Sequence, residues 1–129
     1  MDGKSTCNIP VSIGELWDKY TILLIKRDKI TDEVKLKHVN NEIFYLEPYI
    51  AQFGLEHKIS DELRQCNNTL WEIEDNIRDQ ERMKNFDDTF IKLARSVYIK
   101  NDERAAIKHK INIIFNSEIH EVKNYKYYK

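Results

Sequence analysis

The sequence predicts an all-α domain, an antiparallel bundle of four to five helices with the first helix near its centre. Three observations lead there. Three isolated glycines and two prolines in 129 residues are too few turn-formers for a sheet. Leu, Ile, Lys and Glu recur throughout, a composition suited to long helices. Apolar residues also return at steps of three and four, and residues of capping type stand before the periodic runs. One domain spanning residues 1–129 is expected, with no internal repeat, linker or low-complexity segment.

Residues 1–10 are polar and aperiodic, and Ile9-Pro10 biases the chain toward an extended entry. The first helix opens at Ser12, because Ser12 and Glu15 form a capping box that satisfies orphan backbone donors. Ile13, Leu16, Tyr20, Leu23 and Leu24 make one apolar stripe while Ile22 and Ile25 point elsewhere, the pattern of a central helix. Thr31 or Asp32 caps the second helix, whose seam is Leu36, Val39, Ile43, Leu46, Ile50 and Phe53. Pro48 predicts a kink or break within it, and Gly54 its end. So regular a seam would also serve a homodimer through this helix.

Ser60 is expected to cap the third helix, with Asp61 and Glu62 complementing its dipole and Leu63, Cys66, Leu70, Ile73 and Ile77 as its seam. A turn at Asn85–Asp88 precedes a fourth helix carrying Phe90, Leu93, Ala94 and Val97. At Asn101 either a fifth helix is capped or one long helix continues; a local irregularity is expected there. The tail from Ser117 to Lys129 is expected to dock only in part.

Lys and Arg number 21 against 22 Asp and Glu, a net charge of −1, which argues against a protein that wraps nucleic acid. Only Lys123, Lys126 and Lys129, interleaved with tyrosines, hint at it. No run approaches the roughly 20 apolar residues of a membrane span. The first seven residues lack the apolar core of a signal peptide, so a cytoplasmic protein with reduced thiols is expected. No Gly-rich phosphate loop is present. The four histidines and two cysteines show no zinc-type spacing, so no metal site is predicted. Cys66, on an apolar seam, reads as a small buried hydrophobe.

Three polar groups carry the functional signal. Glu15 and Asp18 lie a turn apart on the side of Ile22; they either cap and solvate the helix end or need cationic partners at a buried edge. Trp71, Glu74, Asp75 and Arg78 follow, with Asn67, Trp71, Glu74 and Arg78 sharing one face. Glu74 and Arg78 form an ordinary i,i+4 pair, yet a tryptophan beside two carboxylates and an arginine also makes a stacking platform with polar hooks, suited to a sugar or a base. The third group is Arg95, Asn101, Asp102, Arg104, Lys108 and Asn112. Asn101, Arg104, Lys108 and Asn112 share a face opposite the isoleucines. A solvated surface is its simplest reading; a mixed-charge pocket requires this face to turn toward the acidic residues of the first and third helices.

Pro10–Leu16, Asp18-Lys19, Thr21–Leu23, Leu70-Trp71, Ile73–Asp75, Ile77-Arg78, Ala94–Tyr98, Asn101-Asp102, Arg104-Ala105, Lys108 and Ile111-Asn112 together resemble an uncharacterised domain family of bacteria and their viruses. The likeness covers most of the chain. It is weakest from about residue 35 to 59 and in the tail, where Glu121-Val122-Lys123 loosely matches the family's acidic-then-lysine ending. The resemblance implies no known activity. It implies a genomic setting, near glycosyltransferase and surface-polysaccharide genes, and a second uncharacterised family of that setting is similar in its Leu-Trp, Glu-Asp, Arg stretch. Because the shared motifs include most of the polar residues above, the resemblance favours one pocket over separate surface pairs.

The function expected from this is a small ligand-binding or accessory module of surface-glycan biosynthesis, holding an anionic sugar or a nucleotide in the groove between the first, third and later helices. Trp71 would stack on a ring, Arg78, Arg104 and Lys108 would hold the anionic group, and Glu15, Asp18, Glu74 and Asp75 would orient hydroxyls or the cations. One alternative is a magnesium-dependent all-α hydrolase of nucleotides or phosphosugars, in which carboxylates on facing helices hold the ion; the carboxylates here lack the E-E-x-x-E spacing of such enzymes. The other is a purely structural homo-oligomeric helical module.

Overall fold

Four helices and no strand make up the described residues, 3–129 of a computed structural model: α1 (Ile13–Lys29), α2 (Glu33–Gln52), α3 (His57–Arg82) and α4 (Asp88–Ile114). The first two positions of the expected extended segment lie outside the described residues, and the remainder of that segment enters α1 without regular structure. α1 packs against all three other helices, and α3 packs against α4. The first helix is thus central, as its two apolar faces predict. No helix among the described residues is long and apolar enough to cross a membrane.

Local chemistry sets most helix starts. The Ser12 hydroxyl accepts the Glu15 N–H, Asp32 accepts the N–H groups of Val34 and Lys35, and Asp87 accepts that of Thr89. Each side chain satisfies donors that a helix start leaves unpaired. α3 departs from expectation. It begins at His57 behind Glu56, which makes no side-chain cap, and Ser60 lies inside the first turn with its hydroxyl donating to the His57 carbonyl. Asp61 and Glu62 therefore fall beyond the first turn.

Two further expectations are corrected. α2 runs unbroken through Pro48. The carbonyl that a proline there deprives of its donor belongs to Phe44, and both residues are on the exposed side of the helix, where solvent is at hand and no buried acceptor is left unpaired. α4 likewise continues through Asn101 for 27 residues, so the described residues hold four helices and no fifth is capped at Asn101. Asn101 has an internal use instead, as a partner of Arg104.

The core lies in two patches on either side of α1. Leu23 packs with Val39 and Ile43 of α2, so the regular seam of α2 is occupied by α1 within the same chain. On the other side Trp17 packs with Ile59 and Leu63 of α3 and Ile111 of α4; Leu63 and Ile111 are fully buried. The Trp17 indole N–H donates to the Phe53 carbonyl at 2.7 Å, which ties the end of α2 to this core. Cys66 is buried on the α3 seam. Its thiol donates to the Lys100 carbonyl, and burial first, then Glu103, raises it above its ordinary value. It is a packed, protonated thiol.

Gly14 marks the closest approach of α1 to α4. A Cβ built there would lie 2.4 Å from the Lys108 carbonyl oxygen and 2.9 Å from Asn112 Oδ1, so only glycine admits this contact. The Gly14 N–H donates to that same Asn112 oxygen at 2.6 Å. Gly14→Ala is expected to force the helices apart and cost about 1–3 kcal/mol, read as a lower urea midpoint.

Candidate functional site

The stripe Gly14, Asp18, Thr21 on α1 faces the stripe Arg104, Lys108, Asn112 on α4, with Asn67 of α3 between them. These positions follow from helical spacing, since residues three and four apart lie one above the other. Asp18 is 1% exposed and is met by donors from α3 and α4. Arg104 grips it with two parallel bonds, Nε to Oδ1 at 2.9 Å and Nη2 to Oδ2. Asn67 Nδ2 donates to Oδ1 at 2.9 Å and to the Thr21 hydroxyl oxygen at 3.0 Å, while that hydroxyl donates to the Asp18 carbonyl. A buried carboxylate is tolerable only when its oxygens are satisfied in this way.

One turn along, the buried Lys108 ammonium donates to Glu15 at 2.7 Å and Glu121 at 2.8 Å, with Asp18 Oδ2 at 3.8 Å. Burial by itself pushes Lys108 down, but the hydrogen bonds to Glu121 and Glu15, together with the charge of Asp18, outweigh it and raise the ammonium above its ordinary value. The bond to Asp18 likewise raises the Arg104 guanidinium. Lys108 in turn holds the Glu121 carboxyl below the usual glutamate value. Glu121 comes from the tail, which doubles back along α4. Ser117 is buried, its N–H donating to the Asn112 carbonyl and its hydroxyl accepting the Ile13 N–H. Tyr128 donates to Asp102 at 2.8 Å.

Beside this network lies a cleft of about 430 Å³ lined by Ile22 of α1, residues Asn67, Leu70, Trp71, Glu74, Asp75 and Arg78 of α3, and Asn101 and Arg104 of α4. Trp71 is half-buried in its wall. Arg78 pairs with the Glu74 carboxylate on the rim. Arg104 joins cleft and network, with Nε and Nη2 committed to Asp18 and Nη1 reaching Asn101 Oδ1 at 3.5 Å.

The α4 face of Asn101, Arg104, Lys108 and Asn112 therefore turns inward, not to solvent. The polar residues divide into two connected groups: Glu15, Asp18, Arg104, Lys108 and Asn112 in the buried network, and Trp71, Glu74, Asp75, Arg78 and Asn101 around the cleft, with Arg104 shared. Lys108 does not line the cleft. Arg95 is exposed on α4 and joins neither group, and Asp102 turns to the tail. Sequence reasoning left Gly14, Thr21, Asn67, Ser117 and Glu121 out of the candidate set. The shared face of Asn67 with Trp71 and the acidic-then-lysine ending at Glu121 were the available signals. Among the described residues no three His, Cys, Asp or Glu side chains gather in a group able to hold a metal ion.

A single family covers residues 7–128, which include both the network and the cleft. The chain belongs to DUF6165, a family of unknown function. No curated protein and no solved structure matches it. The DUF6165 match spans all four helices and most of the docked tail, so the network and the cleft both belong to the family's own domain.

Asp18→Ala deprives Arg104 of its carboxylate and Asn67 of an acceptor and is expected to cost about 3–5 kcal/mol in urea unfolding, with Arg104→Ala adding much less on top of it than by itself. Because the folded value of Glu121 lies below its ordinary 4.5, its contribution is present above that pH and is lost as pH falls through the depressed value. Glu121→Gln should lower stability at neutral pH and flatten its acid dependence below pH 4.5.

Proposed function

We propose that the protein is a small ligand-binding or accessory module of surface-glycan biosynthesis, with the Trp71 cleft as the seat of a sugar or sugar nucleotide. The observation that carries this reading is a half-buried tryptophan in an open interhelical cleft beside Glu74, Asp75, Arg78 and Asn101. An aromatic face with a few polar groups around it is how proteins hold rings that are apolar on one side and polar at the edge. The genomic setting implied by the resemblance, near glycosyltransferase and surface-polysaccharide genes, supports the choice of ligand class.

The buried network has a supporting part in this reading. Asp18 and Asn67 lock one wall of the cleft by fixing Arg104, so the cleft is preorganised before a ligand arrives, which lowers the ordering cost of binding. Arg78 differs: its pair with Glu74 is exposed on both sides and of a kind worth about 0.3–0.5 kcal/mol. It is therefore easily exchanged for a ligand contact.

Sugar nucleotides added to the protein should change its tryptophan fluorescence saturably. Of the two tryptophans, Trp17 is buried in the core, so the response should vanish in Trp71→Phe and weaken about tenfold in Arg78→Ala. A folded protein with no saturable response to any of UDP-glucose, UDP-N-acetylglucosamine, GDP-mannose or CMP-sialic acid would refute the assignment of this cleft.

A further inference from the structure

Phosphate groups in helical proteins are held by main-chain N–H groups at a helix N-terminus or in a turn, or by cations left open to the anion. The Trp71 cleft supplies no such N–H groups, and Arg78, its one exchangeable cation, would leave the Glu74 carboxylate beside any phosphate it took. Its walls come from the middle of α1, α3 and α4, where main-chain donors are spent within the helices. Both guanidiniums already face carboxylates, Arg104 on Asp18 and Arg78 on Glu74. Asp75 lines the cleft as an exposed carboxylate and forms no ion pair among the described residues. Among the cleft-lining residues Arg78 and Arg104 are balanced by Glu74 and Asp75, so no net positive charge awaits a nucleoside diphosphate.

The same groups suit a sugar ring. A hydroxyl both donates and accepts, and the cleft offers acceptors on Asp75 and Glu74 beside donors on the Asn101 amide and Arg78, around an indole against which the C–H face of a pyranose can lie. Resting on the assignment of this cleft as the ligand seat, we infer that it recognises a saccharide ring, neutral or amino-substituted, through its hydroxyls, and makes no use of a nucleotide's phosphates. A sugar nucleotide then binds by its sugar. The Asp75 carboxylate, which forms no ion pair among the described residues, favours an ammonium substituent on the ring.

The test is a three-armed titration of the intact protein, read by Trp71 fluorescence. One arm uses methyl glycosides of glucose, galactose, mannose, N-acetylglucosamine and glucosamine with short oligosaccharides built from them. The second uses UDP, GDP and CMP, and the third uses the corresponding sugar nucleotides. Saturation in the first and third arms, none in the second, and about tenfold weaker binding by Asp75→Asn with an unchanged circular dichroism spectrum are expected. Affinity for the neutral glycosides should barely change with salt. Saturation by UDP, GDP or CMP as strong as by their sugar nucleotides, with silence from the glycosides, overturns this inference while leaving the cleft as a ligand seat. Silence in all three arms overturns both.

Discussion

The bond between Asp18 and Arg104 governs how three of the four helices meet. A carboxylate that is 1% exposed must be fully paired or it becomes one of the most costly groups a small domain can bury. Its oxygens are satisfied only when position 18 of α1, position 67 of α3 and position 104 of α4 stand at one level. Apolar contacts tolerate some sliding, but a bidentate grip does not. A shift of α4 by one turn, about 5.4 Å, would part the guanidinium from its carboxylate and leave the buried Asp18 without its bidentate partner.

Around that bond the remaining contacts reinforce one arrangement. Gly14 lets α4 approach closely enough for Asn112 to reach the α1 backbone, and this proximity puts Lys108 within reach of Glu15. Lys108 then requires a further anion, which the returning tail provides through Glu121. Residues 117–121 are thereby part of the folded unit, whereas Tyr125 and Tyr127 beyond them are largely exposed. The cleft inherits this order. Arg104 forms the cleft wall with one edge and the ion pair with the other, so the geometry of the candidate site depends on the stability of the core beneath it.

Much of this was legible in local pattern. Ser12, Asp32 and Asp87 cap as their residue types imply, because a cap involves a side chain and a backbone only two or three residues away. The seam of α2 and the central place of α1 follow from periodicity. Where reading the chain went astray, an equally local signal had two outcomes: Ser60 bonds back within the first turn of a helix already begun, Pro48 is absorbed on a wet side, and Asn101 serves Arg104 from within a continuous helix. The cleft residues of α3 were visible as one face. Glu121 was not visible as a partner of Lys108, since nothing in an aperiodic tail states where it returns.

From the amino-acid order alone came the helical class, most of the helix starts, the apolar seams and a short set of polar residues with chemical potential, all properties of segments shorter than a few turns. Only the tertiary structure decided that the cationic face of α4 points inward, that Asp18 and Lys108 are buried among opposite charges, and that Trp71 fronts a separate cleft. The reason is physical. A polar stripe on one helix has the same local appearance whether water or another helix lies against it, and which of the two it meets is set by how all four helices pack together.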